Sequence, residues 1–264
     1  MLNNTKLALI TGATSGLGAS FARNFARLGY NLIITGRRKK EIQKVADELK
    51  REYNIDIETI IVDFTIESEF KQLLQRISET DKIDILVNNA GFGYVDSFFE
   101  DDYKNQEKMI QVHINAILNL THLVVPKMLK NKNGYIINVS SAAAFLASPH
   151  HELYCSTKAF INTYSESIAM TLRNKNIKVQ SLCPGLTRTD FHQKLNWKPE
   201  NMKSRGLIRW MTADYVVKKS IKAMDNKKVI VIPGIIYKLL YLIMKIIPRR
   251  AYYLLAIKSR DKFR

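Results

Sequence analysis

Cysteine is scarce in this chain, which has only Cys155 and Cys183 among its 264 residues. Two thiols provide neither the ligand spacing of a metal site nor a disulfide framework. The composition therefore predicts no metal centre, and it fits a reducing compartment.

Linkers, internal repeats and long apolar runs are also missing. No stretch rich in proline, glycine or serine divides the chain, and no repeat is visible. The length would allow two small domains, but without a linker one α/β domain with a sizeable core is favoured. The apolar run Leu7–Ile10 is too short for a signal sequence, so we expect a cytoplasmic protein.

Acidic residues are few relative to basic ones. There are 41 Lys and Arg against 24 Asp and Glu, a formal net charge of +17. Nucleic acid, an anionic membrane surface or phosphorylated ligands would each suit this charge. No recognition motif supports nucleic-acid binding, so we expect none. Residues 233–264 hold eight Lys and Arg and one acid, Asp261, so much of the excess lies there.

A glycine loop stands between a predicted strand, Lys6–Ile10, and a predicted helix, Ala19–Leu28. Gly12 permits a tight turn, Gly16 lets a pyrophosphate approach the backbone, and Gly18 lets helix and strand pack closely. A plain strand-to-helix turn is the alternative. In this context the loop predicts dinucleotide binding, with candidate contacts at Gly12, Thr14, Ser15, Gly16, Leu17 and Gly18.

The second predicted strand, Asn31–Thr35, ends in a glycine followed by Arg37 and Arg38. NAD-selective proteins usually carry an acid at this point, which binds the adenosine ribose hydroxyls. Two guanidinium groups instead suit a 2′-phosphate by charge and by bidentate geometry. The pair therefore predicts NADP(H) in preference to NAD(H). The alternative is that both arginines merely open the basic helix that follows.

Two further predicted strands end in polar or small residues. Thr59–Val62 leads into Asp63, which is placed to bind the adenine amino group, although a solvent-facing loop acid is the alternative. Ile83–Val87 leads into Asn88, for which a structural role is expected. Small and amide residues suit the crevice at the carboxyl ends of parallel strands. The candidate cofactor contacts here are Asn89, Ala90 and Gly91.

The main catalytic candidates are Tyr154 and Lys158, four residues apart and thus on one face of a helix. A phenol has a pKa of about 10, and we expect the nearby cation to lower it toward neutrality. Ser141, thirteen residues upstream, is placed to hold a carbonyl oxygen against the phenol. The three residues predict redox chemistry between a carbonyl and an alcohol. A solvated Tyr–Lys pair is the alternative.

Six sequence blocks recur in a familiar order between residue 5 and about 190. They are Thr11-Gly12-x-x-x-Gly16-x-Gly18, Asn88-Asn89-Ala90-Gly91, Asn115, Asn138-Val139-Ser140-Ser141, Tyr154-x-x-x-Lys158 and Pro184-Gly185-x-x-x-Thr189. Each block is weak alone, but together they resemble the short-chain dehydrogenase/reductase family in its compact Tyr-x-x-x-Lys branch. The resemblance implies an α/β fold of Rossmann type, with a doubly wound sheet of seven parallel strands and helices on both faces. It also implies nicotinamide-dependent oxidoreduction.

The resemblance further implies roles for single residues. Tyr154 would be the acid/base, Ser141 would orient the carbonyl, and Lys158 would tune the phenol and hold the nicotinamide ribose. Asn115 would anchor a water molecule for a proton relay. After the strand 178–182, the implied contacts to the carboxamide and pyrophosphate are Pro184, Gly185, Thr187 and Thr189.

One position departs from the family pattern. Ser15 stands where some relatives carry a basic residue before the second motif glycine. The 2′-phosphate would therefore depend chiefly on Arg37 and Arg38.

The region from about 190 to 212 covers the substrate in the family that the chain resembles. Its apolar residues argue for a hydrophobic substrate, such as an acyl, steroid or lipid-like ketone, while an ordinary core-packing helix pair is equally consistent. They are Trp197, Met202, Leu207, Ile208, Trp210 and Met211. Three histidines have no convincing metal partner and are interpreted as loop or rim residues: His150, His151 and His192.

The segment 233–264 contains an apolar helical stripe with Lys238 and Lys245 opposite it. These lysines and the flanking Pro233 and Pro248 argue against a membrane-spanning helix. Three alternatives stay open: contact with a membrane surface, packing on the domain, and packing across a dimer. We therefore expect a domain over 1–232, including the lid, and a basic amphipathic extension over 233–264.

Together, these patterns predict an NADP(H)-dependent oxidoreductase that interconverts a hydrophobic carbonyl compound and its alcohol, with Tyr154 as general acid/base. By family resemblance it would be a homodimer or homotetramer. One alternative is a membrane-surface reductase of long acyl or sterol ketones. Another is a catalytically silent NADP(H)-binding sensor or scaffold, which would have no need of the four residues Asn115, Ser141, Tyr154 and Lys158.

Overall fold

A parallel β-sheet forms the centre of the computed structural model, which describes residues 6–93, 98–193, 204, 209–226 and 228–259. Its strands are β1 (Leu7–Ile10), β2 (Asn31–Gly36), β3 (Ile57–Ile61), β4 (Ile85–Asn88), β5 (Gly134–Val139), β6 (Ile177–Leu182) and β9 (Ile230–Val231). Their order across the sheet is β3-β2-β1-β4-β5-β6-β9. A separate parallel pair joins β7 (Thr187–Arg188) to β8 (Met211–Thr212).

Helices cover both faces of the sheet. They are α1 (Gly16–Arg27), α2 (Lys39–Tyr53), α3 (Glu67–Ser78), α4 (Tyr103–Ile110), α5 (Ala116–Lys130), α6 (Glu152–Thr171), α7 (Asp190–Gln193), α8 (Ala213–Lys222), α9 (Ile235–Ile246) and α10 (Arg249–Ser259). A π-helical turn, Gln111–Asn115, joins α4 to α5, and a short 3-10 helix, Ala142–Phe145, follows β5. The predicted seven-stranded doubly wound fold is confirmed.

Successive side chains of a strand point to opposite faces of the sheet, so each face has its own hydrophobic cluster. Ala8 and Ile10 of β1 pack on one side with Phe25 of α1. Leu9, between them, packs on the other side with Val124 of α5. Because successive strand residues point to opposite faces, a strand covered on both sides must be apolar at every position. This explains why β1 reads as an unbroken apolar run.

The strand order reverses between β1 and β4. The chain runs from β1 outward through β2 and β3, then returns to place β4 on the other side of β1. Loops leaving the carboxyl ends of these two strands therefore diverge to opposite faces and leave a crevice between them. This crevice lies beside the glycine loop after β1 and the Asn89–Gly91 segment after β4.

Element boundaries differ modestly from the sequence-based expectations. Helix α1 begins at Gly16 instead of Ala19, so the last part of the glycine motif already forms the first helical turn. Strand β9 is only two residues long, Ile230–Val231. The division of the chain at residue 232 stays a prediction.

One helical stretch among the described residues, Tyr103–Lys130, is long and apolar enough to cross a membrane by length and composition. Its side chains Leu120, Val124 and Met128 are buried against the sheet. In this fold the stretch is a core element, and its apolar character follows from that burial.

Candidate active site

The glycine loop and the β4 segment are joined by hydrogen bonds from Thr11 and Asn89. The Thr11 hydroxyl accepts the backbone N–H groups of Asn89 and Ala90, at 2.9 and 3.0 Å. The Asn89 amide donates to the carbonyl oxygens of Thr11 and Gly12, at 2.8 and 3.1 Å. Both sides of the crevice are therefore held at a set distance, and Thr11 has a positioning role that the sequence did not reveal.

The motif glycines stand where side chains do not fit. A Cβ at Gly18 would lie 2.2 Å from the carbonyl oxygen of Gly12, and one at Gly12 would lie 2.9 Å from Cα of Ala90. Gly12 and Gly16 have φ of 67° and 57°, in the left-handed region that favours glycine. A Cβ at Gly16 would lie 3.1 Å from the side chain of Thr189. The result is a backbone-lined cradle, as a pyrophosphate requires.

Two other predicted contacts line the same region. Leu17 packs against the core cluster on the α1 face. Gly91 faces the catalytic candidates, because a Cβ there would lie 3.1 Å from Nε2 of His113 and 3.7 Å from Nζ of Lys158.

Arg38 lies beside the glycine loop. Its guanidinium donates to the hydroxyls of Thr14 and Ser15, at 2.9 and 2.7 Å, and lies 3.4 Å from the carboxylate of Asp190. A cation is thus present next to position 15 although the residue there is serine. The departure from the family pattern is compensated by a side chain from the end of β2.

Arg37 turns instead toward Asp63, at 3.1 Å. Partial burial opposes ionisation of Asp63, but hydrogen bonds from Thr65 and Arg37 outweigh it and lower the pKa of the carboxyl group. Asp63 is therefore a bonded carboxylate, and its predicted contact with adenine stays a prediction. A Cβ at Gly36 would lie 2.4 Å from Cγ2 of Thr14, so a side chain there would have to displace the Thr14 methyl group.

Tyr154, Ser141 and Lys158 come together at the start of α6. The Ser141 hydroxyl lies near enough to the phenol of Tyr154 to favour its ionised form. Nζ of Lys158 lies 5.7 Å from the centre of the Tyr154 ring and donates to the carbonyl oxygen of Val139, at 3.1 Å. The pairing expected from the spacing is thus present in the structure.

The pKa expectation for this pair is wrong. Burial raises the pKa of Tyr154 to about 12, and the Ser141 hydrogen bond only partly opposes it. Burial also lowers the pKa of Lys158 to about 8. Because the ammonium is directed at a carbonyl oxygen, desolvation outweighs its attraction for a phenolate. The phenol is therefore protonated at neutral pH.

Ser140 and Ser141 have different partners. The Ser140 hydroxyl is buried and donates to the backbone oxygen of Lys158, at 2.9 Å. Ser141 caps the 3-10 helix by accepting from the backbone of Ala143, at 3.1 Å. Of the two hydroxyls, that of Ser141 is the one that influences the pKa of the Tyr154 phenol. The assignment of Ser141 as the residue that orients the carbonyl stays a prediction.

Asn115 ends the π-helical turn between α4 and α5. Its side chain donates to Gln111, at 2.8 Å, and its backbone oxygen accepts the side chain of Asn119, at 2.8 Å. Such widened turns often occur at functional sites because they displace the backbone from a regular helix. The proposed water relay stays a prediction.

His113 is a component of the site that the sequence analysis missed. Its Nε2 accepts the N–H of Phe92, at 3.1 Å, and its Nδ1 lies 3.0 Å from the hydroxyl of Thr157. That hydroxyl donates to the backbone oxygen of Tyr154, at 2.9 Å. Burial, with the charge of Lys158, lowers the pKa of His113 well below its ordinary value. A neutral imidazole with its proton on Nδ1 therefore links the β4 loop to α6.

The loop after β6 is covered by the C-terminal extension. The Tyr237 hydroxyl accepts the N–H of Leu186, at 3.1 Å, and its ring occupies the space above Gly185, where a Cβ would lie 2.2 Å from Cε1. The backbone oxygen of Pro184 accepts from Ala142, at 2.8 Å. Thr187 and Thr189 bond within the loop, to backbone oxygens of residues 185 and 187.

The expected lid is described only at its ends. The Phe191 ring lies 5.9 Å from the Tyr154 ring, and Trp210 and Met211 are buried. Four residues of the expected lid lie outside the described part of the chain: Trp197, Met202, Leu207 and Ile208. The side chain of His192 also lies outside it. His150 and His151 line a small cavity that reaches Tyr154. Among the described residues, no cluster of three or more His, Cys, Asp or Glu side chains would hold a metal ion.

Comparison with known proteins agrees with this geometry. Residues 6–200 match the short chain dehydrogenase family. An uncharacterized oxidoreductase of Staphylococcus saprophyticus is 33% identical over 193 residues, covering 73% of this chain and 82% of that protein. A very-long-chain 3-oxoacyl-CoA reductase of Anas platyrhynchos is 33% identical over 181 residues. The match covers 67% of this chain but only 58% of that reductase.

Two solved structures share the fold. A short-chain dehydrogenase from Sphingobium yanoikuyae in complex with NADPH has a TM-score of 0.81 and 26% identity, covering 92% of this chain and 96% of that one. A bulky-bulky ketone specific alcohol dehydrogenase from Comamonas testosteroni has a TM-score of 0.78 and 27% identity, covering 94% and 96%. Fold and site define an NAD(P)-dependent oxidoreductase of CH–OH and C=O groups. The chain belongs to the short-chain dehydrogenase/reductase family.

Replacing His113 by Phe should destabilise the fold by about 1–3 kcal/mol, because the buried Phe92 N–H loses its acceptor while the ring packing is retained. Urea unfolding measures this loss. The matched control is His122→Phe, at an exposed position of α5, which should leave stability nearly unchanged. Equal midpoints for the two variants would contradict the linking role.

Proposed function

We propose that the chain reduces a hydrophobic ketone or aldehyde with NADPH, using Tyr154 as the general acid. The observation that carries this proposal is the convergence of the Ser141 hydroxyl and the Lys158 ammonium beside the Tyr154 phenol, at the edge of the crevice between β1 and β4. One proton donor, one second hydroxyl and one cation converge there, as carbonyl reduction requires.

The residues at the crevice fit a dinucleotide phosphate. The glycine cradle leaves backbone exposed for the pyrophosphate, and Arg38 and Arg37 put positive charge beyond it. The Sphingobium yanoikuyae enzyme, whose complex contains NADPH, supports the preference for NADP(H) over NAD(H). When bound, the nicotinamide supplies the hydride.

The side chains of this protein supply the proton and the orientation. The Ser141 hydroxyl donates to the substrate carbonyl oxygen and holds it beside the Tyr154 phenol. Since burial keeps that phenol protonated, Tyr154 donates its proton as negative charge develops on the oxygen. Lys158 stabilises the phenolate that remains, and the Asn115 turn provides the route for reprotonation.

The substrate class is proposed from the surroundings of Tyr154. Phe191 lies against its ring, and Phe145 pairs with Tyr241 at 4.4 Å beyond Ser141. Aromatic walls favour an apolar substrate of some bulk. The named activities of the Comamonas testosteroni and Anas platyrhynchos relatives, on bulky ketones and very-long-chain 3-oxoacyl-CoA, support this class.

The proposal also covers the oligomeric state of the protein and its location in the cell. We expect a homodimer or homotetramer in the cytoplasm, with membrane contact confined to the C-terminal extension. A catalytically silent sensor is the rival function. It would bind NADPH through the same cradle but show no turnover with aldehydes, ketoesters, steroids or acyl ketones.

Replacing Tyr154 by Phe should lower turnover about 100- to 10,000-fold, because the proton donor is lost. NADPH affinity should be kept, since the ring remains. Absorbance of NADPH during reduction of the carbonyl panel, with cofactor binding by fluorescence, measures both. Tyr164→Phe on the same helix is the control and should stay active. Unchanged turnover in the Tyr154 variant would refute the assignment.

Replacing Arg38 by Gln should weaken NADPH binding about 10- to 100-fold, because a charge-assisted contact to the 2′-phosphate is lost. NADH affinity should change little. Titration calorimetry with both cofactors separates these effects, and Arg23→Gln on the exposed side of α1 is the control. Equal losses for both cofactors would show that Arg38 only supports the loop.

The rate of carbonyl reduction should fall as the pH rises through about 8, where Lys158 loses its proton. Its pKa is lowered, so the ammonium is charged below that pH and neutral above it. A pH profile of kcat/KM measures this. In Lys158→Arg the fall should disappear, because a guanidinium stays protonated. A profile of the native enzyme that is flat in the alkaline range would contradict the expectation.

A further inference from the structure

The C-terminal helices α9 and α10 are attached to the body by tyrosines on one side. Tyr237 bonds Leu186, and the Tyr241 ring lies 4.4 Å from that of Phe145. The Tyr252 hydroxyl is bonded to the backbone of Ala147, whose N–H donates to it at 2.7 Å. These contacts set the rotation of both helices, so the opposite sides are held outward.

The outward side of α9 is an apolar stripe. Its residues follow one another at spacings of four, three and four, which places them on one helical face. Their exposed fractions are 72% for Ile235, 53% for Leu239, 53% for Leu242 and 81% for Ile246. On α10, the next helix, four further apolar side chains are half or more exposed: Tyr253, Leu254, Leu255 and Ile257. We call this surface the outer face.

Only positive charge accompanies the outer face in the described part of the extension. Lys238 and Lys245 are exposed. They lie opposite the full apolar stripe seen in the sequence but, by helical geometry, at one edge of the four residues Ile235, Leu239, Leu242 and Ile246. Arg249 and Arg250 are exposed where α10 begins. The described residues from 233 to 259 contain no acid.

The sequence left three alternatives for what covers this surface: a membrane, the domain itself or a second copy of the chain. The positive charges favour the membrane. The body of the protein is already contacted by the opposite side, through the tyrosines. A two-fold contact between copies would bring the same four cations of each copy together, which is unfavourable. A lipid surface with anionic headgroups accepts both the apolar stripe and the cations.

We propose that the outer face of α9 and α10 docks on an anionic membrane surface. The helices lie in the plane of the headgroups, with Leu239, Leu242 and Ile246 buried at the acyl boundary and Lys238 and Lys245 among the phosphates. This surface is separate from the Tyr154 chemistry. Docking therefore does not depend on the proposed reaction.

Co-sedimentation of the full chain with vesicles tests the proposal. The protein should bind phosphatidylcholine vesicles that contain phosphatidylserine, bind pure phosphatidylcholine vesicles more weakly, and lose affinity as salt is added. The triple variant Leu239→Gln, Leu242→Gln, Ile246→Gln should lose binding. Lys238→Gln with Lys245→Gln should weaken it about 30-fold on the anionic vesicles.

Matched substitutions elsewhere control for composition and folding. Lys44→Gln with Lys50→Gln removes two exposed lysines from α2, and Met170→Gln removes an apolar side chain that is 71% exposed on α6. Both should bind vesicles like the native chain. Circular dichroism and NADPH binding establish that each variant is folded, and they give a readout independent of docking.

Three outcomes would overturn the proposal. Absence of native binding to anionic vesicles is the first, and equal binding by the outer-face variants and the controls is the second. The third is an oligomer of the native chain that the triple variant dissociates while no vesicle binding occurs. That result would assign the outer face to contact between copies.

Discussion

The reversal of strand order between β1 and β4 is the constraint on which the site depends. It leaves a crevice at the carboxyl ends of these strands, and Thr11 and Asn89 hold its two sides together through four short hydrogen bonds. The glycine cradle, Arg38 and the start of α6 all take their positions from this junction.

Burial sets the electrostatics of the catalytic pair. Tyr154 and Lys158 are both shifted toward their neutral forms, to pKa values of about 12 and 8. A desolvated phenol next to a second hydroxyl, from Ser141, stays protonated at neutral pH, as the proposed role of Tyr154 requires. The nearby neutral His113 adds no charge that would compete with Lys158, while its two hydrogen bonds keep α6 in place.

Much of this molecule was predictable because its signals are local. A strand buried on both faces must be apolar throughout, and this marks β1, β2 and β4 in the sequence. Glycine motifs and the Tyr-x-x-x-Lys spacing depend on contacts within a few residues, so the tight glycine turn and the shared helical face of Tyr154 and Lys158 followed from the sequence. Family resemblance supplied the doubly wound sheet of seven parallel strands, which periodicity alone does not determine.

The remainder depends on long-range contacts that sequence spacing does not encode. His113 meets Phe92 and Thr157 across 21 and 44 residues, and Tyr237 reaches Leu186 across 51. The direction of the Tyr154 pKa shift also required the structure, since burial outweighed the cation. Residue types and their local spacing determined the class of chemistry in this protein. Packing alone decided which groups are desolvated and which face of the C-terminal helices stays exposed, because both are properties of neighbours distant in the chain.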